Sequence, residues 1–310
     1  MKKISIVVPC YNEEKALPLF YDELKRIMDK MSNYIFELIL VDDGSKDGTL
    51  DIIKNIALED VSVKYISFSR NFGKESALYA GFKNSTGEYV AMMDADLQDP
   101  PSLLPEMVKA LENEGFDSVA TRRVTRKGEP LIRSFFARKF YKIMNSISET
   151  ELVDGARDYR LMNRKFVNSL LSLNEYNRFT KGLFGWIGFK TKWIEYENVE
   201  RIAGETKWSF FKLFKYAIEG IISFSTTLLS VITILGLLLT TIGILAVIAC
   251  GISQLFGANI NSAIYVILAI MVFNGLSIIC IGVLGKYVSD IHKEVKKRPI
   301  YIVNETNIEE

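Results

Sequence analysis

The sequence predicts an α/β head built on a mainly parallel sheet, followed by interfacial helices and a two-helix transmembrane domain. Three observations carry this. Short apolar runs alternate with helical patterns through the first part of the chain, and a cluster of polar residues follows each run. No Asp, Glu, Lys, Arg or His occurs between Gly220 and Gly285, although charged residues make up 24% of the 310.

The expected strands are Ile4 to Pro9, Phe36 to Asp42, Val63 to Ser69, Tyr89 to Asp94 and Ser118 to Arg122, each followed by turn residues and then a helix. Such repetition implies parallel pairing through helical crossovers. The first helix is the clearest: Leu17, Phe20, Tyr21, Leu24, Ile27, Met28 and Met31 recur at three-and-four spacing and read as core.

The uncharged block breaks at the polar stretch Gly251 to Asn261, leaving apolar runs of about 25 and about 22 residues, and a spanning helix needs roughly 20. Lys207, Lys212 and Lys215 precede the first run, and Lys286, Lys293, Lys296, Lys297 and Arg298 follow the second. The connection between them is uncharged, so the positive-inside bias puts both termini and the head in the cytoplasm. The opening Met1-Lys-Lys-Ile-Ser-Ile-Val-Val-Pro-Cys alternates like a strand and is too short in apolar residues for a signal peptide. The expected organisation is a catalytic domain over 1–200, a juxtamembrane amphipathic segment over 201–222, the transmembrane pair over 223–285 and a basic tail over 286–310. Phe210, Phe211, Leu213 and Phe214 with Lys212 and Lys215 suit an interfacial helix, and Leu131 to Ile147 has a similar pattern.

Composition narrows the chemistry. A net charge of +1 argues against nucleic acid as a partner. The one histidine, His292, lies in the basic tail, which removes histidine triads and histidine-rich metal sites. Cys10, Cys250 and Cys280 show neither metal-ligand spacing nor a disulfide framework.

Ligands of open α/β sheets bind at the carboxyl edge. That edge carries IVVPCYNEE at 6 to 14, LVDDGSKDGT at 40 to 49, SRNFGKESALYAGF at 69 to 82 and DADLQDPP at 94 to 101, with RDYRLMNR at 157 to 164 and RIAGETKWS at 201 to 209 further on. With these segments the chain resembles glycosyltransferase family 2 and its GT-A fold, and within it the polyprenyl-phosphate glycosyltransferases, which include bactoprenol glucosyltransferases and dolichol-phosphate mannose synthases. The likeness covers essentially the whole chain.

The resemblance implies roles that the residue chemistry suits. Asp94 and Asp96, one residue apart at a strand end, can face one divalent cation with Gln98 adding a neutral oxygen; hard oxygen ligands imply Mg2+ or Mn2+. Such a cation would neutralise charge on the departing nucleoside diphosphate. Asp42 would accept from a uracil imide, with Pro9, Tyr11 and Glu13 lining base and ribose, and with Asp43 and Ala95 as neighbours of the nucleotide. Lys74, after Gly73 at a helix start, would meet the pyrophosphate by charge and backbone amides. Arg201 and Lys207 resemble the segment that closes over the diphosphate in relatives.

The acceptor would be a lipid phosphate, whose oxygen is already ionised near neutral pH, so orientation and charge screening are the main demands. Arg122 (or Arg123), Arg133 and Arg138 supply cations for it. Asp158 aligns with the family's proposed catalytic Asp, as a positioning group or a base; a structural pairing with Arg157 or Arg160 is its alternative. Gly155-Ala-Arg157 before it departs from the shorter approach of relatives.

The expected reaction is inverting transfer of a hexose, glucose from UDP-glucose foremost, onto undecaprenyl phosphate at the cytoplasmic membrane face. GDP-mannose, UDP-N-acetylglucosamine and UDP-galactose are alternative donors, and a non-catalytic nucleotide-binding membrane scaffold is the alternative of another class. Gly236, Gly243, Gly275 and Gly282 allow close helix packing and a homo-oligomer.

Overall fold

The computed structural model describes residues 1–124, 153, 155–173, 175–176, 178–197, scattered positions between 234 and 252, and 262–309. Among the described residues eight strands form one sheet: β1 (Lys2–Cys10), β2 (Tyr34–Asp42), β3 (Val63–Phe68), β4 (Tyr89–Met92), β5 (Ser118–Arg123), β6 (Ala156–Asn163), β7 (Thr191–Tyr196) and β8 (Val303–Thr306). The helices are α1 (Leu17–Lys30), α2 (Thr49–Glu59), α3 (Lys74–Asn84), α4 (Leu104–Asn113), α5 (Arg164–Ser172), α6 (Thr180–Trp186) and α7 (Ser262–Lys296).

Strand order is β7-β5-β6-β4-β1-β2-β3-β8. The stretch β4-β1-β2-β3 is parallel, with Ile6 opposite Leu38 and Ala91. β6 then runs antiparallel to both β4 and β5, and β8 antiparallel to β3. The sheet is therefore mixed, with four parallel pairings and three antiparallel ones, where the sequence suggested a mainly parallel sheet. β6, β7 and β8 were not among the expected strands.

Both faces of the parallel strands are covered, which is why β1 and β2 read as nearly unbroken apolar runs. Ile4, Ile6, Val8, Leu38 and Leu40 pack with Leu17, Phe20 and Leu24 of α1 and Leu104, Met107 and Val108 of α4. Ile39, Val41, Ile66 and Phe68 face the other way, onto Ala77 and Ala80 of α3. Because β1 lies between β2 and β4, the loops after β1 and β4 flank the point where chain progression along the sheet reverses, the usual place for a ligand crevice.

The chain divides into two compact units, Met1–Ala217 with Pro299–Glu310, and Ile218–Arg298. This differs from the expected tail over 286–310: its last residues belong to the head, because the free edge of β3 takes β8 as its partner. In the second unit, Ile267, Ile270, Ile278, Ile281 and Leu284 of α7 are all more than half exposed. Gly243 lies against Phe273, where a Cβ would stand 2.4 Å from Cζ. Among the described residues no helix is long and apolar enough to cross a membrane. The first expected span falls largely outside those residues, as do several side chains of α7, so the described structure does not bear out the two spans.

At the edge of the sheet opposite the carboxyl ends, Glu37 is 2% exposed and accepts hydrogen bonds from Ser5 Oγ (2.5 Å), Lys64 Nζ (2.7 Å) and Thr86 N (3.0 Å). Burial alone would raise its pKa; the Lys64, Ser5 and Thr86 donors outweigh that and bring it to about 2. A lowered carboxylate stabilises the fold fully above its ordinary value of 4.5, and the contribution is lost as pH falls through about 2. Glu37→Gln is expected to cost about 2 kcal/mol at neutral pH. Urea unfolding of the detergent-solubilised chain at pH 7 and pH 3 checks it, with a smaller gap between variant and parent at the lower pH.

Candidate active site

Four loops meet at the carboxyl edge, and side chains lace them together. Asn12, in the left-handed region at φ 53, donates from its backbone to Ser45 Oγ (2.9 Å) and accepts from Lys46 N at Oδ1 (2.8 Å). Asparagine tolerates that conformation better than most residues. Glu13 N donates to Thr49 Oγ1 (2.8 Å). The loop after β1, with Pro9, Tyr11 and Glu13, is thus held against the turn after β2.

That turn in turn grips the loop after β3. Gly44 has φ +66, and a Cβ there would stand 2.4 Å from the Arg70 carbonyl carbon, so only glycine fits without displacing backbone. Asp43 accepts from Phe72 N at Oδ1 (2.6 Å) and from Gly73 N at Oδ2 (2.9 Å). Gly73 precedes α3, and Lys74 is the first residue of that helix. Asp43 therefore fixes the turn that presents Lys74. Asp42, 1% exposed, accepts from Ser45 N (3.1 Å) and Ser67 Oγ (3.0 Å) and braces the same turn.

Lys74 joins two strands. Its ammonium lies 2.6 Å from Asp94 Oδ1, just beyond β4, and 2.5 Å from Asp158 Oδ2 on β6. A second cation, Lys181 of α6, stands 3.2 Å from Asp158 Oδ1. Glu75 accepts from the backbone N (3.2 Å) and hydroxyl of Thr180, pinning the start of α6 to α3 and so placing Lys181. Burial by itself would raise Asp158; Lys181 and Lys74 outweigh it and hold the carboxyl well below its usual range. Asp94 moves the other way: burial raises it, Lys74 counters, and Asp158 and Asp99 add to the rise. Two carboxylates of one site are thereby driven apart in proton affinity, the pattern that separates roles in active sites.

The DADLQD loop has its own support. Asp96 Oδ1 accepts from Gln98 N (3.1 Å) across Leu97, which is buried with φ 56. A leucine in that region carries backbone strain, which gathers at functional loops. Asp99, fully buried, accepts from Arg157 Nε (2.9 Å) and from the Tyr196 hydroxyl, while Arg157 Nη2 donates to Gln98 Oε1 (3.4 Å). Asp99 Oδ2 is buried with no donor among the described residues. Among those residues no group of three or more His, Cys, Asp or Glu forms a ready metal site. The Asp94, Asp96 and Gln98 set is two carboxylates and an amide oxygen, hard donors that fit a Mg2+-like cation in chemistry, with Asp94 now facing the Lys74 ammonium and Gln98 Oε1 accepting from Arg157.

The structure brings Lys74, Asp94 and Asp158 into contact and gathers Tyr11, Glu13, Asp42 and Asp43 on the neighbouring loops. Asp158 pairs with Lys74 and Lys181, in place of the structural pairing with Arg157 or Arg160 weighed as its alternative. Arg160 is buried instead, donating to Ser118 Oγ (2.8 Å) and stacked on Phe184 (4.2 Å). Ala95 is buried in the core, so only its backbone is available to a nucleotide. Arg122 faces Glu195 at 3.7 Å on the neighbouring strand. Arg133, Arg138, Arg201 and Lys207 lie outside the described residues. Lys181, Glu75, Asp99 and Arg157 were missed from sequence; the nearest signal was Lys181 standing one residue from a Gly in an otherwise apolar helix.

Burial raises the Asp43 carboxyl to about 6, against the Phe72 and Gly73 amides that favour its charge. A raised carboxylate weighs against the fold above pH 6, and the cost is relieved as pH falls toward 3.8. Protonation also weakens its grip on both amides. After correction for intrinsic rates, amide exchange at Phe72 and Gly73 is expected to quicken about fivefold as pH drops through about 6. Mass spectrometry of exchanged peptides reads this, and Asp43→Asn should flatten the pH dependence.

The glycosyl transferase family 2 profile matches residues 5–171. A Bacillus subtilis (strain 168) protein, CsbB, described as a glycosyltransferase, is 44% identical over 98% of this chain and 92% of its own length. The bactoprenol glucosyl transferase of Shigella phage SfII is 39% identical over 98% of both chains. Of solved structures, the glucosyl-3-phosphoglycerate synthase from Mycobacterium tuberculosis in complex with Mn2+, uridine-diphosphate-glucose and phosphoglyceric acid is similar over 71% of this chain and 78% of that one, at 21% identity and a TM-score of 0.48. With the family profile and near-complete relatives in agreement, the chain belongs to glycosyl transferase family 2 and is a glycosyltransferase.

Proposed function

We propose that this glycosyltransferase moves glucose from UDP-glucose onto undecaprenyl phosphate, with inversion, at the cytoplasmic face of a bacterial inner membrane. The single observation that carries the reading is the Lys74–Asp94–Asp158–Lys181 constellation at the carboxyl edge of the sheet. It sits in a chain 39% identical to a bactoprenol glucosyl transferase over 98% of both lengths.

Asp94, Asp96 and Gln98 would hold Mg2+ or Mn2+, which when bound supplies charge neutralisation for the leaving diphosphate. Lys74, at the N-terminus of α3, offers an ammonium and helix amides to the same phosphates. Asp42 and the loop bearing Pro9, Tyr11 and Glu13 would receive base and ribose. Asp158, held ionised by two ammonium groups, is a weak base at neutral pH. That suits an acceptor whose phosphate oxygen needs no deprotonation, so Asp158 acts by orienting Lys74 and Lys181 toward substrate oxygens. Lys181 adds a phosphate-binding cation to the arginines expected for the acceptor.

The membrane part of the proposal rests on the uncharged stretch between Gly220 and Gly285 and its lysine-rich flanks. The outward apolar side chains of α7, Ile267, Ile270, Ile278 and Ile281, would then meet lipid. Two spans in this reading hold the head where a prenyl-linked phosphate emerges.

Transfer is measured with purified protein in detergent, undecaprenyl phosphate, a divalent cation and a panel of UDP- and GDP-sugars, with the lipid product identified by mass. Glucose from UDP-glucose is the expected product; formation of mannosyl lipid alone would redirect the donor, and no lipid product from any donor would end the reading. Asp96→Asn should lower transfer at least about 100-fold. Lys181→Ala should raise the KM for lipid phosphate about tenfold and leave the donor KM within about twofold.

A further inference from the structure

The segment Pro299–Glu310 returns to the head, and its contacts run along β3 to the start of the loop that presents Lys74. β8 pairs antiparallel with β3, placing Thr306 opposite Ile66, Glu305 opposite Ser67 and Val303 opposite Phe68. Ser69 N donates to Ile302 O (3.0 Å), carrying the pairing one residue past β3 into the loop itself. Tyr301 stacks on Phe68 with ring centroids 4.8 Å apart and 18° between planes. Phe68 meets Phe72 edge-on at 5.8 Å. Farther along, Asn307 accepts from Tyr65 N (2.7 Å) and donates to Val63 O (3.1 Å), and Glu305 pairs with Lys54 (2.8 Å).

Phe72 is gripped at backbone and ring. Asp43 holds its amide and Ser76 Oγ donates to its carbonyl (3.1 Å), while Phe68, itself backed by Tyr301, meets its ring and the Arg70 guanidinium lies over it at 4.0 Å. Gly73 and Lys74 follow directly, so any slack at Phe72 is passed to the ammonium between Asp94 and Asp158. Removing the Tyr301 ring would leave the Asp43 and Ser76 hydrogen bonds in place but take away the support behind Phe68.

We propose that the C-terminal segment Tyr301–Ile308 is a positioning element for the nucleotide-sugar site, docked along β3 so that it fixes the Ser69–Lys74 loop. The inference rests on the donor site proposed above.

The test uses the full chain in detergent, comparing Tyr301→Ala and Tyr301→Phe with the parent. Calorimetric binding of UDP in the presence of Mn2+, steady-state KM for each substrate, and hydrogen exchange over residues 69–74 are measured together, with the thermal midpoint as a check on folding. Tyr301→Ala is expected to weaken UDP binding and raise the donor KM about fivefold, the worth of one aromatic pair. Exchange over 69–74 should quicken, and the acceptor KM and kcat should stay within about twofold. Tyr301→Phe, which keeps the flat ring, should restore all three. If Tyr301→Ala does not fold, Tyr301→Leu keeps the bulk without the stacking surface and replaces it. Unchanged UDP binding and exchange in a folded variant would overturn the positioning role, as would a proportional loss of kcat with both KM values unmoved. A parent that binds no nucleoside diphosphate would overturn the donor site itself, and the positioning role with it.

Discussion

One ammonium group holds the site in shape. Lys74 stands between a carboxylate at the end of β4 and another on β6, and without it two largely buried negative charges would repel one another across adjacent strands. Its position is over-determined: Asp43 shapes the turn before it, Gly44 lets the neighbouring turn approach, and the helix it opens is pinned by Glu75 to α6. The consequence reaches past electrostatics. The β4–β6 pairing already joins the parallel strands to the antiparallel strand that carries Asp158, and the Lys74 ion pairs add a side-chain tie at the carboxyl edge of that seam.

The parallel half was legible because its physics is local. Apolar runs bounded by turn residues gave β1 to β5 within a residue or two at most ends, and three-and-four spacing gave α1 with its buried Leu17, Phe20 and Leu24. The loops were legible too, since parallel pairing gathers the polar clusters that follow successive strands onto one edge of the sheet. β6 was not, because Arg157, Asp158 and Arg160 interrupt the alternation that marks a strand; Arg157 pairs with Asp99, Asp158 with two lysines, and Arg160 lies over Phe184 and Trp193, none of which a local window contains. Lys181 was hidden for the same reason: it sits on a seven-residue helix placed by a contact to Glu75, about a hundred positions earlier.

Family membership and geometry meet at different depths. The matched profile ends at residue 171, before α6 and Lys181, whereas the relatives run through nearly the whole length of the chain. What the later segments add is a second cation beside Asp158 and a returning strand beside β3. A nucleotide-binding half alone would supply a donor pocket.

β8 also bears on how copies of the molecule behave beside one another. An uncovered flank of a sheet invites any passing strand to add to it. Here a four-residue strand rich in polar groups, Val-Asn-Glu-Thr, occupies that flank and presents a charged, poorly templating border in place of Ile66 and Phe68. On this side of the head, the apolar strand β3 is thereby kept away from neighbouring copies, behind a short and polar edge.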